Sequence, residues 1–225
     1  MLITILLIIA CVGVSLVSFQ NETYFQRYAF SIEGILHKRQ WERLFSSIFL
    51  HVDYVHLFFN IFSFYSFAIH LEPRIGSGFL LAFFLGSALG GNLLALIIHH
   101  HHRRYRAAGA SGAISGIIFS AVLLLPGGKI MIFPFPVGIP DWLFAVLFVV
   151  ISLYGIGRQS GNIGHEAHLG GALTGVILTA LVFPRVVIRQ WILTLVLIIP
   201  VVIFLFYFLK DPGKFYLKSW RKFWN

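Results

Sequence analysis

The chain has 225 residues, of which 58% are hydrophobic and only 11% charged, and the charges fall between long apolar runs rather than along helix faces. This excludes an ordinary soluble domain and points to an all-α polytopic membrane protein. The net charge of +9 sits in loops and tail, where basic residues meet anionic headgroups of the lipid bilayer, so it gives no ground for a nucleic-acid partner.

Residues 2–19 are long enough to span and have no lysine or arginine before them and no small-residue cleavage site, so they read as a retained first helix rather than a secretory signal. Ile8-Ile9-Ala10-Cys11 superficially resembles a lipoprotein processing site, but it lacks a basic leader and further spans follow. Cys11 is the single cysteine, so no intramolecular disulfide can form. Residues 20–54 carry Tyr24, Phe25, Phe30, Trp41, Arg43, Phe45 and Phe49, a composition that predicts a folded loop at headgroup level. The second span, 55–71, places His56 and Asn60 four apart on one face, which should turn inward. Glu72-Pro73-Arg74-Ile75-Gly76 closes it. The third span, 79–98, has a small-residue surface at Gly86, Gly90 and Gly91, and its Asn92 is read as an interhelical hydrogen-bonding residue.

The run His99 to Arg106 is expected to be a solvated loop, because four consecutive histidines point in different directions and define no coordination site. Ser111 then opens an apolar helix that Pro126 stops. Such a helix rises only ~22 Å through a hydrocarbon slab of ~30 Å, so with Pro126 at one surface Ser111 lies several Å below the other. A hydroxyl at that depth must be hydrogen-bonded or reached by water. Residues 126–141 form a loop rich in glycine and proline, 142–156 a short fifth span, 157–164 a small polar loop, and the sixth span starts near His165. Residues 188–209 make a seventh span kinked at Pro200, followed by a basic aromatic tail, 210–225.

Gly112-x-x-x-Gly116 and Gly171-x-x-x-Gly175 are both faces that let two helix backbones approach closely. If they meet, Ser111 lies one residue before the first glycine of its helix and His168 three before the first of its own, so both project toward the same end of the contact. A serine needs a base within ~3 Å to become a nucleophile, and histidine is the usual one. Glu166 lies on a different face from His168 and Asp141 at the mouth of another span, so the reading is a dyad rather than a triad. The backbone N–H of Ser111 at the positive end of its helix, with Asn60 and His56, supplies candidate oxyanion donors. The competing reading of Ser111 is a plain helix-packing serine. Ala113 breaks the G-x-S-x-G pattern and no strand precedes it, which excludes a soluble hydrolase elbow. His165-Glu166-Ala167-His168 is one residue short of a zinc-protease motif; those histidines could share a metal with His51 and His56, but spacing fixes no third ligand and no metal is expected.

Gly109-Ala110-Ser111-Gly112, the His56-x-x-x-Asn60 pair and His168-x-x-Gly171-x-x-x-Gly175 resemble the motifs of rhomboid intramembrane serine proteases, in the family's order and on its second, fourth and sixth spans. The Glu72 to Gly76 turn is similar too, and the likeness runs roughly from Trp41 to Val182. It implies a six-helix protease core over residues 1–184, with residues 185–225 adding a seventh C-terminal helix and tail. It further implies Ser111 as nucleophile, His168 as general base, Asn60 and His56 as oxyanion donors, and Gly109, Gly112, Gly116, Gly171 and Gly175 packing the helices around them. The first loop would be half-embedded, and the fifth span would gate substrate access. Family members cleave transmembrane protein substrates near a helix end, at small residues, without a cofactor; the implied location is the bacterial cytoplasmic membrane.

Three departures stand out. Many members carry an aromatic residue one turn after the serine, packed under the histidine, where this chain has Ser115. The first-loop Trp-Arg pair becomes Trp41-Glu42-Arg43, and the seventh helix is an addition to the bacterial six-helix plan. Orientation is in conflict: lysines and arginines crowd the side of the first loop, the 99–106 loop and the tail, which the positive-inside rule places in the cytoplasm, whereas bacterial rhomboids open outward. Two other classes fit the sequence less well. A silent relative that binds or escorts membrane clients usually loses Ser or His, and this chain keeps both; a transporter would string ionisable residues across the membrane, and here the polar groups gather at one end.

Overall fold

The computed structural model describes residues 1–131, 137–158 and 164–211. In chain order, α1 (Leu2–Gln20) leads to the first loop, built from α2 (Glu22–Tyr28), β1 (Phe30–Ser31), a π-helical turn (Glu33–His37), α3 (Arg43–Ser46) and a 3-10 turn (Ser47–Phe49). Then come α4 (Tyr54–Ile75), α5 (Ser77–His99), β2 (Arg106–Ala107), α6 (Ser111–Leu124), β3 (Lys129–Met131), β4 (Gly138–Pro140), α7 (Asp141–Arg158), α8 (His165–Val182), α9 (Pro184–Arg189) and α10 (Trp191–Lys210). Helices α1, α4, α5 and α10 are long and apolar enough to cross a membrane, and α6 and α7 are shorter apolar helices. The chain is an all-α polytopic membrane protein.

Small residues decide what sits at the centre. A Cβ on Gly112 would meet the Ala167 carbonyl oxygen at 3.0 Å, one on Gly170 would meet Gly91 Cα at 3.0 Å, and one on Gly175 would meet Gly116 Cα at 2.6 Å. The backbones of α5, α6 and α8 therefore approach without intervening side chains, and these three helices make the densest packing in the molecule. Every residue from Gly112 to Leu124 is buried, so α6 is apolar all round and shows no amphipathic stripe. Ser120 Oγ donates to Gly175 O at 3.1 Å across the same contact.

The outer helices are fastened by a few polar ties. Glu72, almost fully buried near the end of α4, accepts from Ile3 N at 3.1 Å, Thr4 N at 3.0 Å, Thr4 Oγ1 at 2.6 Å and Ser77 Oγ at 2.7 Å. It thereby caps the open amides at the start of α1 with the charge that a helix N-terminus favours. Gly76, at φ +86°, makes the reversal into α5 that a side chain would strain. The first loop is folded as its aromatic content predicts, with Phe30, Ile32, Ile35 and Leu50 fully buried. Arg43 resolves how that loop packs: its guanidinium donates to Ala29 O at 2.6 Å, Gln26 O at 2.9 Å and Gln40 Oε1 at 2.7 Å. Asn92 bonds to this loop, at Leu44 O (2.7 Å) and Ser47 Oγ (3.1 Å), rather than to another long helix.

Several expectations need correction. The 99–106 run is not a solvated loop throughout: His99 is buried and hydrogen-bonded to Glu166, because a carboxylate in the first turn of α8 needs a donor there. The chain carries two short antiparallel ribbons that hydrophobic periodicity cannot reveal. One pairs Phe30 with Ala107 and Ser31 with Arg106, stitching the first loop to the segment before Ser111; the other turns part of the 126–141 loop into β3 and β4. The seventh span starts at Trp191, not 188, because α9 intervenes, ending at Arg189 with Gln190 as its C-cap. The basic aromatic tail from 212 onward, and parts of the loops predicted at 126–141 and 157–164, lie outside the described residues.

Candidate active site

A cleft of about 910 Å³ opens between α4, α6, α7 and α8, and Ser111, His168, His56 and Asn60 all line it. Ser111 is the first residue of α6, so by position its amide has no intrahelical acceptor. The chain arrives there through Gly109, whose φ of +135° suits only glycine, and a Cβ at that place would also strike the His56 ring at Cε1 (2.7 Å) and Nε2 (3.0 Å). Gly109 N donates to Ser47 O at 3.0 Å, which ties this approach to the first loop. Ser115, one turn on, turns its hydroxyl back to Ser111 O at 2.8 Å.

His168 is the fourth residue of α8, and its amide closes on Gly164 O at 3.0 Å. Since Gly112 rests on Ala167, the residue after Ser111 faces the residue before His168, and the two side chains share one end of the α6–α8 contact. Among the described residues no hydrogen bond joins Ser111 to His168; such bonds commonly tighten only once substrate is bound. The imidazole of His168 lies 5.9 Å from the Phe148 ring of α7, at 31° between planes.

On the opposite wall, Asp53 caps α4 by accepting from His56 N at 2.7 Å, which fixes the turn carrying His56. The Nε2–Cε1 edge of His56 faces Gly109, and its Nδ1 is buried with no hydrogen-bond partner among the described residues. Asn60 donates one amide proton to His56 O at 2.9 Å and has a second to offer; its Oδ1 is buried with no partner among the described residues. Behind them His51 is fully buried, 5.1 Å from the His56 ring and nearly perpendicular to it. Ser15 Oγ donates its only proton to Phe49 O at 3.0 Å, so at 2.8 Å from His51 Nδ1 it must accept. His51 therefore carries its proton on Nδ1. Burial pushes its pKa down to about 3, the neighbouring His56 acts in the same direction, and Asp53 opposes them.

Two features escaped the sequence. Glu166 Oε1 accepts from His99 Nε2 at 3.0 Å and from the Tyr105 hydroxyl, and His99 stacks on Tyr105 with ring centroids 3.7 Å apart. This knot joins the end of α5, the approach to Ser111 and the first turn of α8. An ionisable residue in the first turn of a membrane helix was the available signal. Phe148 gave none, because a phenylalanine in an apolar span reads equally as lipid-facing. Among the described residues no three histidine, cysteine or carboxylate side chains converge as metal ligands. His51 and His56 form one ring pair; His165 and His168, 6.4 Å apart, form another.

Comparison with known proteins covers most of this architecture. Residues 38–185 match the family model of the Rhomboid domain. The chain is 30% identical over 137 residues to "Rhomboid protein 1, mitochondrial" of Saccharomyces cerevisiae, covering 60% of this chain and 40% of that protein. It is 29% identical over 183 residues to "Rhomboid protease GluP" of Bacillus subtilis, covering 80% and 34% respectively. With "Putative rhomboid protease YdcA" of the same bacterium it shares 32% identity over 144 residues, 63% of this chain and 67% of that one. The aligned region thus spans well under half the length of the first two relatives.

Proposed function

The chain belongs to the rhomboid family, and from that premise we propose that it is an intramembrane serine endopeptidase, with Ser111 as nucleophile and His168 as general base, cleaving transmembrane-segment substrates. One observation carries the reading: the cleft that Ser111 and His168 line from α6 and α8 is faced by His56 and Asn60 from α4. Ser111 Oγ attacks the scissile carbonyl carbon while His168 takes the hydroxyl proton. The carbonyl oxygen becomes an oxyanion, and the Ser111 N–H, the second amide proton of Asn60 and an N–H of His56 on its Gly109-facing edge are the donors at hand. Collapse of the tetrahedral adduct breaks the C–N bond, and His168 returns the proton to the leaving amine. Water, activated by the same imidazole, then hydrolyses the acyl-enzyme. Every group in this sequence is a protein side chain or amide, so the reaction asks for no cofactor.

The substrate reaches Ser111 laterally. The cleft has α4 on one side, at Phe59 and Asn60, and α7 on the other, at Phe144 and Phe148, and these two helices are not among the closely packed pairs. A helix in the bilayer can therefore enter between them and present an unwound end to the serine. In this reading residues 1–184 are the protease core, residues 185–225 an added helix and tail, and the site of action the bacterial cytoplasmic membrane. The test is fluorophosphonate labelling of the full chain in detergent. Labelling of the wild type that Ser111→Ala and His168→Ala both abolish is the expected result. A folded wild type that never labels overturns it in favour of a groove that holds membrane clients without cutting them.

A further inference from the structure

Ser115 leaves His168 without an aromatic support from its partner helix α6, since its hydroxyl is turned back to Ser111 O at 2.8 Å. The ring that does lie against His168 comes from α7: Phe148, with centroids 5.9 Å apart and planes 31° from parallel. Phe148 is itself held in an aromatic row, 5.3 Å from the buried Phe119 of α6 and 5.9 Å from Phe144 of α7. Further along α7, the His165 imidazole lies so close to Gly155 that a Cβ there would run into the ring. Thus α7 is seated on α8 at two places, by Phe148 against His168 and by Gly155 against His165. The same helix forms one wall of the substrate cleft.

Resting on the dyad reading above, we infer that Phe148 is the positioning residue that orients His168, so that the seating of α7 on α8 sets whether the base is aligned with Ser111. An unsupported imidazole at this place can rotate about two side-chain bonds; a ring packed against it restricts that freedom. Because the supporting ring rides on α7, a substrate helix that pushes α7 away from α4 and outward also draws Phe148 off His168. Cleavage then follows when the substrate end has unwound enough for α7 to seat again. Access and alignment of the base are two positions of one helix.

The experiment measures both the rate constant of fluorophosphonate labelling and the fraction of protein finally labelled, in Phe148→Leu, Phe148→Tyr, Ser115→Tyr, and the double variant Phe148→Leu with Ser115→Tyr. Phe148→Leu keeps most of the packed volume but not the ring face, and is expected to slow labelling by ~10- to 100-fold, the cost of a small misplacement of a catalytic group, at an undiminished final fraction. Phe148→Tyr is expected to stay within about twofold of wild type. Ser115→Tyr with Phe148 intact crowds the same space and slows labelling; in the Phe148→Leu background it supplies a ring from α6 and restores the rate, so the two changes have opposite signs together and apart. A wild-type rate in Phe148→Leu, or a loss that appears only as a smaller labelled fraction, overturns the inference, because a merely structural role would move the fraction. Failure of Ser115→Tyr to restore the rate in the Phe148→Leu background, at an undiminished labelled fraction, overturns it as well. Labelling that persists in Ser111→Ala or His168→Ala instead refutes the dyad, and this inference with it, so the two failures are distinguishable.

Discussion

Gly171→Ala is the sharpest test of the idea that backbone contact between α6 and α8 builds the site. The added Cβ would lie 2.6 Å from the Gly112 carbonyl carbon and 3.1 Å from its Cα, with the carbonyl oxygen nearer still, whereas ordinary contact begins near 3.4 Å. Nothing there can rotate away, because all three atoms are backbone. The helices must part by roughly 1 Å, which opens the centre of a core packed to interior density and costs ~1–3 kcal/mol. The same movement separates Ser111 from His168, and a misplacement of that size lowers rate by ~100-fold. The matched control is Gly13→Ala on α1, where a Cβ meets nothing within 4 Å. Thermal unfolding in detergent and the labelling rate are read on both variants. If Gly171→Ala unfolds and labels like wild type while Gly13→Ala does the same, the close approach of the two helices is not what aligns the pair.

Removing the Glu166 carboxylate with Glu166→Ala leaves His99 and the Tyr105 hydroxyl buried without their shared acceptor, and each buried donor left unsatisfied costs ~1–3 kcal/mol; an unchanged unfolding midpoint would show the knot to be dispensable. Arg43→Lys should destabilise almost as much as Arg43→Ala, by ~2–3 kcal/mol, because three acceptors from separate residues are matched by one planar fork that an ammonium cannot copy. Limited proteolysis of the first loop reads this directly, and full protection in the lysine variant would refute it. His51 titrates near 6.5 when unfolded and about 3 when folded, so between those values the unfolded state binds more protons. Its contribution to stability is complete above about pH 6.5 and is lost as the pH falls toward 3, at up to ~1.4 kcal/mol per pH unit. Unfolding midpoints measured from pH 7 to 4 should therefore fall less steeply in His51→Gln, and identical slopes would refute the assignment.

The spans, their order and the two glycine faces were legible because each rests on local pattern: apolar length, a four-residue repeat of small residues, a proline that stops a helix. The same patterns bring Ser111, His168, His56 and Asn60 to one cleft, since Gly112 and Gly171 fix the register of α6 on α8 and Asp53 caps the turn of α4 that carries His56, one turn before Asn60. What could not be read depends on partners far apart in the chain. His99 looked solvated as one of four histidines, and only the 67-residue reach to Glu166 makes it an interior residue while exposed His100 and His101 remain outside. The two-residue strands β1 and β2 are too short to carry any alternation, and their pairing is a tertiary fact.

The buried charges divide the labour of holding the site. Glu72 closes the start of α1 on the end of α4, Arg43 closes the first loop on itself, and Glu166 ties the first turn of α8 to α5 and to the chain leading into Ser111. Both carboxylates meet a helix N-terminus, where the peptide dipoles offset part of the cost of burying them. The aromatic row Phe119, Phe148 and Phe144, of which Phe148 and Phe144 line the cleft, is by contrast held by ring packing. Ring packing falls off over short separations and re-forms without a desolvation penalty, whereas a parted ion pair leaves charges stranded in hydrocarbon. On the proposed reading, a wall that admits a helix and closes behind it is better built from phenylalanines than from salt bridges, and the buried carboxylate of α7, Asp141, sits at the start of that helix, accepting from Gly128 N and Trp142 N, away from the residues that line the cleft.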